Sequence, residues 1–124
     1  MTKFTAISDT HNQHSKVIIE PTDVLLHAGD YTSIGRIHEV KDFLEWFSIQ
    51  PAKHKIFISG NHDFLDYETP SLFKEILKEY PNIIYLRDEL IEIEGISIWG
   101  VPGFQNSADG PLWPIEEVLR CYLL

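Results

Sequence analysis

Residues that bind metals or move protons gather in three short clusters: Asp9-Thr10-His11, Gly29-Asp30 and Gly60-Asn61-His62-Asp63. A carboxylate, an imidazole, a second carboxylate and an amide form a mixed oxygen and nitrogen donor set. Such a set suits Mn²⁺, Fe or Zn²⁺ better than Ca²⁺ or a metal held by thiolates. A carboxylate between two ions can serve both, and Asp30, at the end of the middle segment, is the candidate bridge. Taken singly, each cluster is ordinary loop chemistry: Asp9 a turn residue, Asn61 an asparagine tolerating a left-handed turn, Asp63 a helix cap. Their weight comes from position, because all three follow short apolar runs.

Those runs, Lys3–Ser8, Asp23–His27 and Lys55–Ser59, read as buried strands. In open α/β sheets ligands bind outside the carboxyl ends of the strands, so the three clusters are expected to converge. Between the strands, Ile34, Ile37, Val40, Phe43, Leu44 and Phe47 recur at helical spacing. Arg36, Glu39, Lys41, Asp42 and Glu45 take the polar side, and Pro51 stops the helix. Thr69 and Pro70 read as the cap and first position of a second helix, with Leu72, Phe73, Ile76, Leu77 and Tyr80 as its stripe. Asn82–Leu86 is a short strand, and Leu90–Glu94 with Ile96–Val101 a hairpin about Glu94-Gly95. Pro102–Pro114 is a loop, and the apolar spacing from Ile115 to Leu123 predicts a short closing helix. Alternating strands and helices make the fold α/β, with a mixed, mainly parallel sheet and flanking helices.

The 124 residues suffice for one domain, and 44% apolar content is enough for a core. Ten basic against nineteen acidic residues leave a formal charge of −9, which excludes a general nucleic-acid binder. A phosphate substrate is still compatible, because bound cations reverse the local field. Cys121 is the only cysteine and reads as a buried, inert thiol, so no internal disulfide is expected. The first apolar run is too short for a signal peptide and no segment is long enough to span a bilayer, so a soluble, cytoplasmic protein without membrane contact is expected. Trp46, Trp99 and Trp113 read as packing residues. Of the other histidines, His27 reads as a hydrogen-bonded core residue, His14 as part of a solvent-facing loop, His38 as polar-face and His54 as a turn residue.

In order, Asp9-x-His11, Gly29-Asp30 and Gly60-Asn61-His62-Asp63 resemble the calcineurin-like metallophosphoesterase family. The surrounding phrases, Ile7-Ser8-Asp9-Thr10-His11 and His27-Ala28-Gly29-Asp30, are similar to small phosphohydrolases of the MPPED type. The resemblance runs from about Phe4 to about Gly103, with no match expected from Gln105 onward. It implies a partial α/β/β/α sandwich, a divalent metal cofactor with Mn²⁺ expected ahead of Fe or Zn²⁺, and a phosphate ester substrate. Asp9 and His11 would hold the first metal, Asp30 would bridge, and Asn61 would hold the second. His62 and Asp63 would be the catalytic pair: His62 beside the phosphate, stabilising the transition state or protonating the leaving alkoxide, and Asp63 orienting His62. A hydroxide between the metals would attack phosphorus in line, in a phosphohydrolase or phosphodiesterase reaction.

The departure from the family is at the C-terminal side. Complete members carry a further strand ending in His and a Gly-His-x-His turn, and here no histidine follows His62. The resemblance therefore implies one domain, residues 1–124, that holds the N-terminal half of the site only, C-terminally truncated and impaired in activity. The other reading is an inactive remnant serving as a metal-binding or protein-interaction module. With little of the second sheet, one face of the first is expected to lie uncovered, which would favour a homo-oligomer.

Overall fold

The computed structural model describes residues 1–103 and 122–123. Its elements, in chain order, are β1 (Phe4–Ile7), a 3-10 turn (His14–Lys16), β2 (Thr22–His27), α1 (Ile37–Ser48), β3 (Ala52–Phe57), α2 (Phe64–Glu68) and α3 (Pro70–Leu77). There follow β4 (Ile83–Tyr85), β5 (Glu89–Ile93), β6 (Ile96–Gly100) and β7 (Tyr122–Leu123). β1 to β4 lie side by side in sequence order as a parallel sheet, and β5, β6 and β7 form an antiparallel one. No helix among the described residues is long and apolar enough to cross a membrane.

Successive strand side chains point to opposite faces, which makes the central strands two-sided. Leu25 and Phe57 face the helices and meet Val40, Phe43, Leu44 and Phe47 of α1 and Phe73 and Ile76 of α3, all at most 4% exposed. Val24, Leu26, Ile56 and Ile58 face the other way, against Leu86 and against Ile98 of β6, all at most 6% exposed. The layers are thus helices, parallel sheet, antiparallel sheet: an α/β architecture with part of a second sheet, as expected. Gly100 permits the close approach of the two sheets, since a Cβ there would stand 2.2 Å from that of Leu86. The hairpin therefore packs on the face that was expected to lie bare.

Several expectations are corrected. β1 is an edge strand, so Ala6 is exposed and the segment is only half-buried. α1 starts at Ile37, not Ile34, because Gly35 makes a turn at φ +67 and leaves Ile34 exposed. Glu39, expected on the polar side of α1, is buried against the loops at its N-terminus. His14 is buried against Phe43 and Trp46, with Nε2 3.0 Å from Asp42, because its 3-10 turn lies against α1. His54 sits within β3, paired with Val24, and not in a turn. Tyr122 and Leu123 extend to pair with Trp99 and Ile98, so they are strand rather than the end of a helix. The rest of that expected helix, most of the 102–114 loop, Trp113 and Cys121 fall outside the described residues.

Candidate metal centre

The three clusters converge because of two glycines and a set of left-handed loop residues. Asp9, His11, Asn12 and Asp30 have φ values of 55, 40, 63 and 57 degrees. Asp, Asn and His are the non-glycine residues that tolerate this region best. The conformation zips the first loop onto the second: Asp9 N–H donates to Gly29 O at 2.9 Å, His11 N–H to Asp30 O at 3.0 Å and Asn12 N–H to Tyr31 O at 3.0 Å. A Cβ on Gly29 would meet Gly60 N at 2.8 Å, and one on Gly60 would meet Asp30 Oδ1 at 2.2 Å. Any larger residue at position 60 would push Asp30 out of place.

At this junction the side-chain donors of Asp9, His11 and Asp30 lie within 4.8 Å of one another. His11 Nε2 is 3.8 Å from Asp9 Oδ1. The other ring nitrogen, Nδ1, is 3.0 Å from the carbonyl of Thr32. A carbonyl only accepts, so Nδ1 carries the proton and Nε2 presents a lone pair, the arrangement usual for a ligating histidine. The Asn61 amide approaches both oxygens of Asp30 at 3.1 Å. Its oxygen could face them only with a cation between; its nitrogen can face them without one. Burial first, and then the neighbouring Asp9 carboxylate, raise the pKa of Asp30 while the His62 N–H opposes them, so a positive charge here would relieve the site. Two carboxylates, one imidazole with its lone pair inward and one amide fit a divalent cation.

His62 stands beside this group. Its ring is 4.9 Å from that of His11, edge to face. Its Nδ1 lies 2.9 Å from the carbonyl of Ser33, so that nitrogen also holds the proton, and Nε2 is left for substrate chemistry. Asp63 is placed otherwise than expected. Its carboxylate does not hold the His62 ring. It accepts main-chain N–H groups from Gly60, Asp30, Tyr31 and Thr32 and the Thr32 hydroxyl, and it is fully buried. Burial pushes its pKa up to about 6 against the pull of the Gly60 and Thr32 donors, so at neutral pH it is a carboxylate among donors only. The reason is geometric: Asp63 begins α2 pointing under the loop after β2, while His62 points over it.

Beneath the loops, His27 is the hydrogen-bonded core residue the sequence suggested. Nδ1 accepts the Gly29 N–H at 3.2 Å, so Nε2 must carry the proton and faces Thr10 Oγ1 at 2.9 Å. A second proton has no place, and burial drives the pKa down to about 3 although Asp9 pulls it up. In the unfolded chain the imidazole titrates near 6.5. A depressed pKa contributes stability above pH 6.5 that is lost as pH falls towards 3. Stability should therefore drop by roughly 1.4 kcal/mol per pH unit in that window from this group. Urea unfolding of wild type and His27→Gln at pH 7, 6, 5 and 4 checks this; parallel pH curves would contradict it.

The main-chain oxygens of Thr32 and Ser33, which set both imidazole tautomers, were not found from sequence, because a carbonyl has no residue signature. Asn12 and Glu39 were also missed. The N-terminal position of Glu39, three residues into the helix, was the available signal.

A family model described as calcineurin-like phosphoesterase matches residues 2–117, which extends the likeness past Gln105, where none was expected. Among curated proteins, the human and mouse proteins named metallophosphoesterase domain-containing protein 1 are 35% identical over 121 residues, covering 82% of this chain and 37% of theirs. Two Caenorhabditis elegans relatives are UPF0046 protein C25E10.12, 37% identical over 81% of this chain and 41% of its own, and UPF0046 protein K07C11.7, 34% identical over 97% and 46%. The chain spans less than half the length of each of these relatives.

Proposed function

The chain belongs to the calcineurin-like phosphoesterase family, and from that membership we propose that it is a metal-dependent phosphohydrolase acting on phosphate esters, diesters included. The observation that carries the reading is the convergence of the Asp9, His11 and Asp30 donors within 4.8 Å, with the Asn61 amide against Asp30. Asp9, His11 and Asp30 would hold one divalent ion, and Asp30 with Asn61 a second, Mn²⁺ ahead of Fe or Zn²⁺. When bound, such ions lower the pKa of water and neutralise charge on the phosphoryl oxygens. The protein's own groups do the rest. His11 is held in its ligating tautomer by Thr32, and Asp63 locks the loops that carry the ligands. His62, with Nδ1 fixed on Ser33, offers Nε2 to protonate the leaving alkoxide or to brace the phosphoryl group. We place this one-domain chain in the cytoplasm, on its lone cysteine.

The test is hydrolysis of an aryl phosphodiester and an aryl phosphomonoester with and without Mn²⁺. Turnover that requires Mn²⁺ and falls about 100-fold or more in His62→Ala, with metal content unchanged, is expected for a group acting in the chemical step. A fall in metal content in that variant would make His62 a ligand instead. Mn²⁺ binding without turnover of either ester would favour the second reading, a metal-binding module.

A further inference from the structure

The imidazole of His62 is set by a single carbonyl, and that carbonyl belongs to a turn held from the side by Glu39. Ser33 accepts the His62 Nδ1 proton. After Ser33, the N–H groups of Ile34 and Arg36 go to one carboxylate oxygen, Glu39 Oε2, at 3.3 and 2.8 Å, while the Gly35 N–H between them donates to Thr32 Oγ1 at 3.0 Å. Its other oxygen accepts the side-chain amide of Asn12, whose nitrogen also lies 3.3 Å from Ser33 Oγ. Ser33 Oγ in turn donates to the carbonyl of His11 at 3.3 Å. Glu39 is only 7% exposed, and three N–H donors surround it. A buried carboxylate is costly unless donors match it, and here they do, so it acts as a fixed strut between α1 and two loops.

We propose that Glu39 is a positioning residue for His62: through the 33–36 turn and Asn12 it holds the Ser33 carbonyl where it keeps the proton on His62 Nδ1. The effect is graded. The Ser33 N–H, in the same peptide unit as the Thr32 carbonyl that sets His11, also faces Glu39, but Thr32 has a second anchor in Asp63, at 2.9 Å to its N–H and 2.7 Å to its hydroxyl. Loss of Glu39 therefore frees Ser33 more than Thr32, and so His62 more than His11. Neutral imidazole left to itself prefers its proton on Nε2, so the direction of change is defined. This assignment rests on His62 acting in the phosphoesterase site proposed above, but its primary test does not.

That test is the tautomer of His62, read from imidazole ¹⁵N resonances of the full chain without added metal. In wild type both His62 and His11 should show the Nδ1–H form. In Glu39→Ala, His62 should move towards the Nε2–H form, and by more than His11. Glu39→Asp keeps the charge and the helix start but shortens the reach, and should give a partial shift if the alanine variant does not fold. Glu39→Gln should restore the wild-type pattern, because the Asn12 carbonyl oxygen, buried without a partner, can turn to accept the new amide. Where Mn²⁺-dependent turnover is present, Glu39→Ala should lower kcat about 10- to 100-fold, as loss of an outer partner does, with KM little changed. Unchanged His62 resonances in folded Glu39→Ala, or in Glu39→Asp, would overturn the proposal. Absence of hydrolysis in wild type would count against the phosphoesterase reading alone, since the resonances are read without metal.

Discussion

Replacing Asp30 by asparagine is expected to reduce Mn²⁺ affinity by at least about 100-fold, since partners one shell further out already cost 10- to 100-fold. Asp30 is the shared group: its carboxylate is in reach of Asp9 and His11 on one side and of Asn61 on the other. The substitution is close to isosteric. The remaining carbonyl oxygen can still accept the His62 N–H, now made at 3.0 Å by Asp30 Oδ1, and the tight contact with Gly60 is unchanged. Without metal the variant should be as stable as wild type or more so, because burial disfavours the Asp30 charge and the amide removes it. Calorimetric titration with Mn²⁺ and urea unfolding without it give the two numbers. Equal, tight binding by wild type and Asp30→Asn would refute this site; a large loss of stability would show that Asp30 is structural first.

Asp63→Ala is expected to have the largest effect on folding of any single change at the site. The Asp63 carboxylate accepts N–H groups from Gly60, Asp30, Tyr31 and Thr32, plus one hydroxyl, from two different loops. Each buried donor left unpaired costs roughly 1–3 kcal/mol. These costs overlap, yet a loss of at least ~3 kcal/mol is a large part of the 5–15 kcal/mol that holds a domain of this size. Asp63→Asn should lie between, because one oxygen becomes an NH₂ that must face other donors. The readout is the urea midpoint, with metal affinity as a second measure: the loops that carry Asp30 and His11 should loosen together. Variants within 1 kcal/mol of wild type would mean that water or a rearranged loop replaces the carboxylate.

These two aspartates also mark what a sequence can and cannot disclose. Asp30 was recognisable as a ligand because it ends an apolar strand beside glycine, and the position after a strand is itself a statement about geometry. The alternation of apolar runs and helical stripes likewise predicted the parallel sheet and its helices, since both periodicities are local. Asp63 was assigned a partner it does not touch. Which of two adjacent side chains points under a loop and which over it depends on the turn between β3 and α2, and that turn is set by the loop it packs against.

The donor types, their order along the chain, the strands that carry them and the family to which they belong are legible in the order of the amino acids alone. The tautomers of His11 and His62 are not, because successive carbonyls at Thr32 and Ser33 set them and main-chain oxygens are common to all residues. Tertiary packing decided the burial of Glu39 and His14 too: a helical stripe says which face meets the sheet, but loops crossing the end of α1 cover part of the other face. The covering of Val24, Leu26, Ile56 and Ile58 by the β5–β6 hairpin was a matter of how closely two sheets approach, and a missing side chain at Gly100 permits it. Local chemistry is written residue by residue, whereas contacts between segments far apart in the chain depend on packing that no single segment encodes.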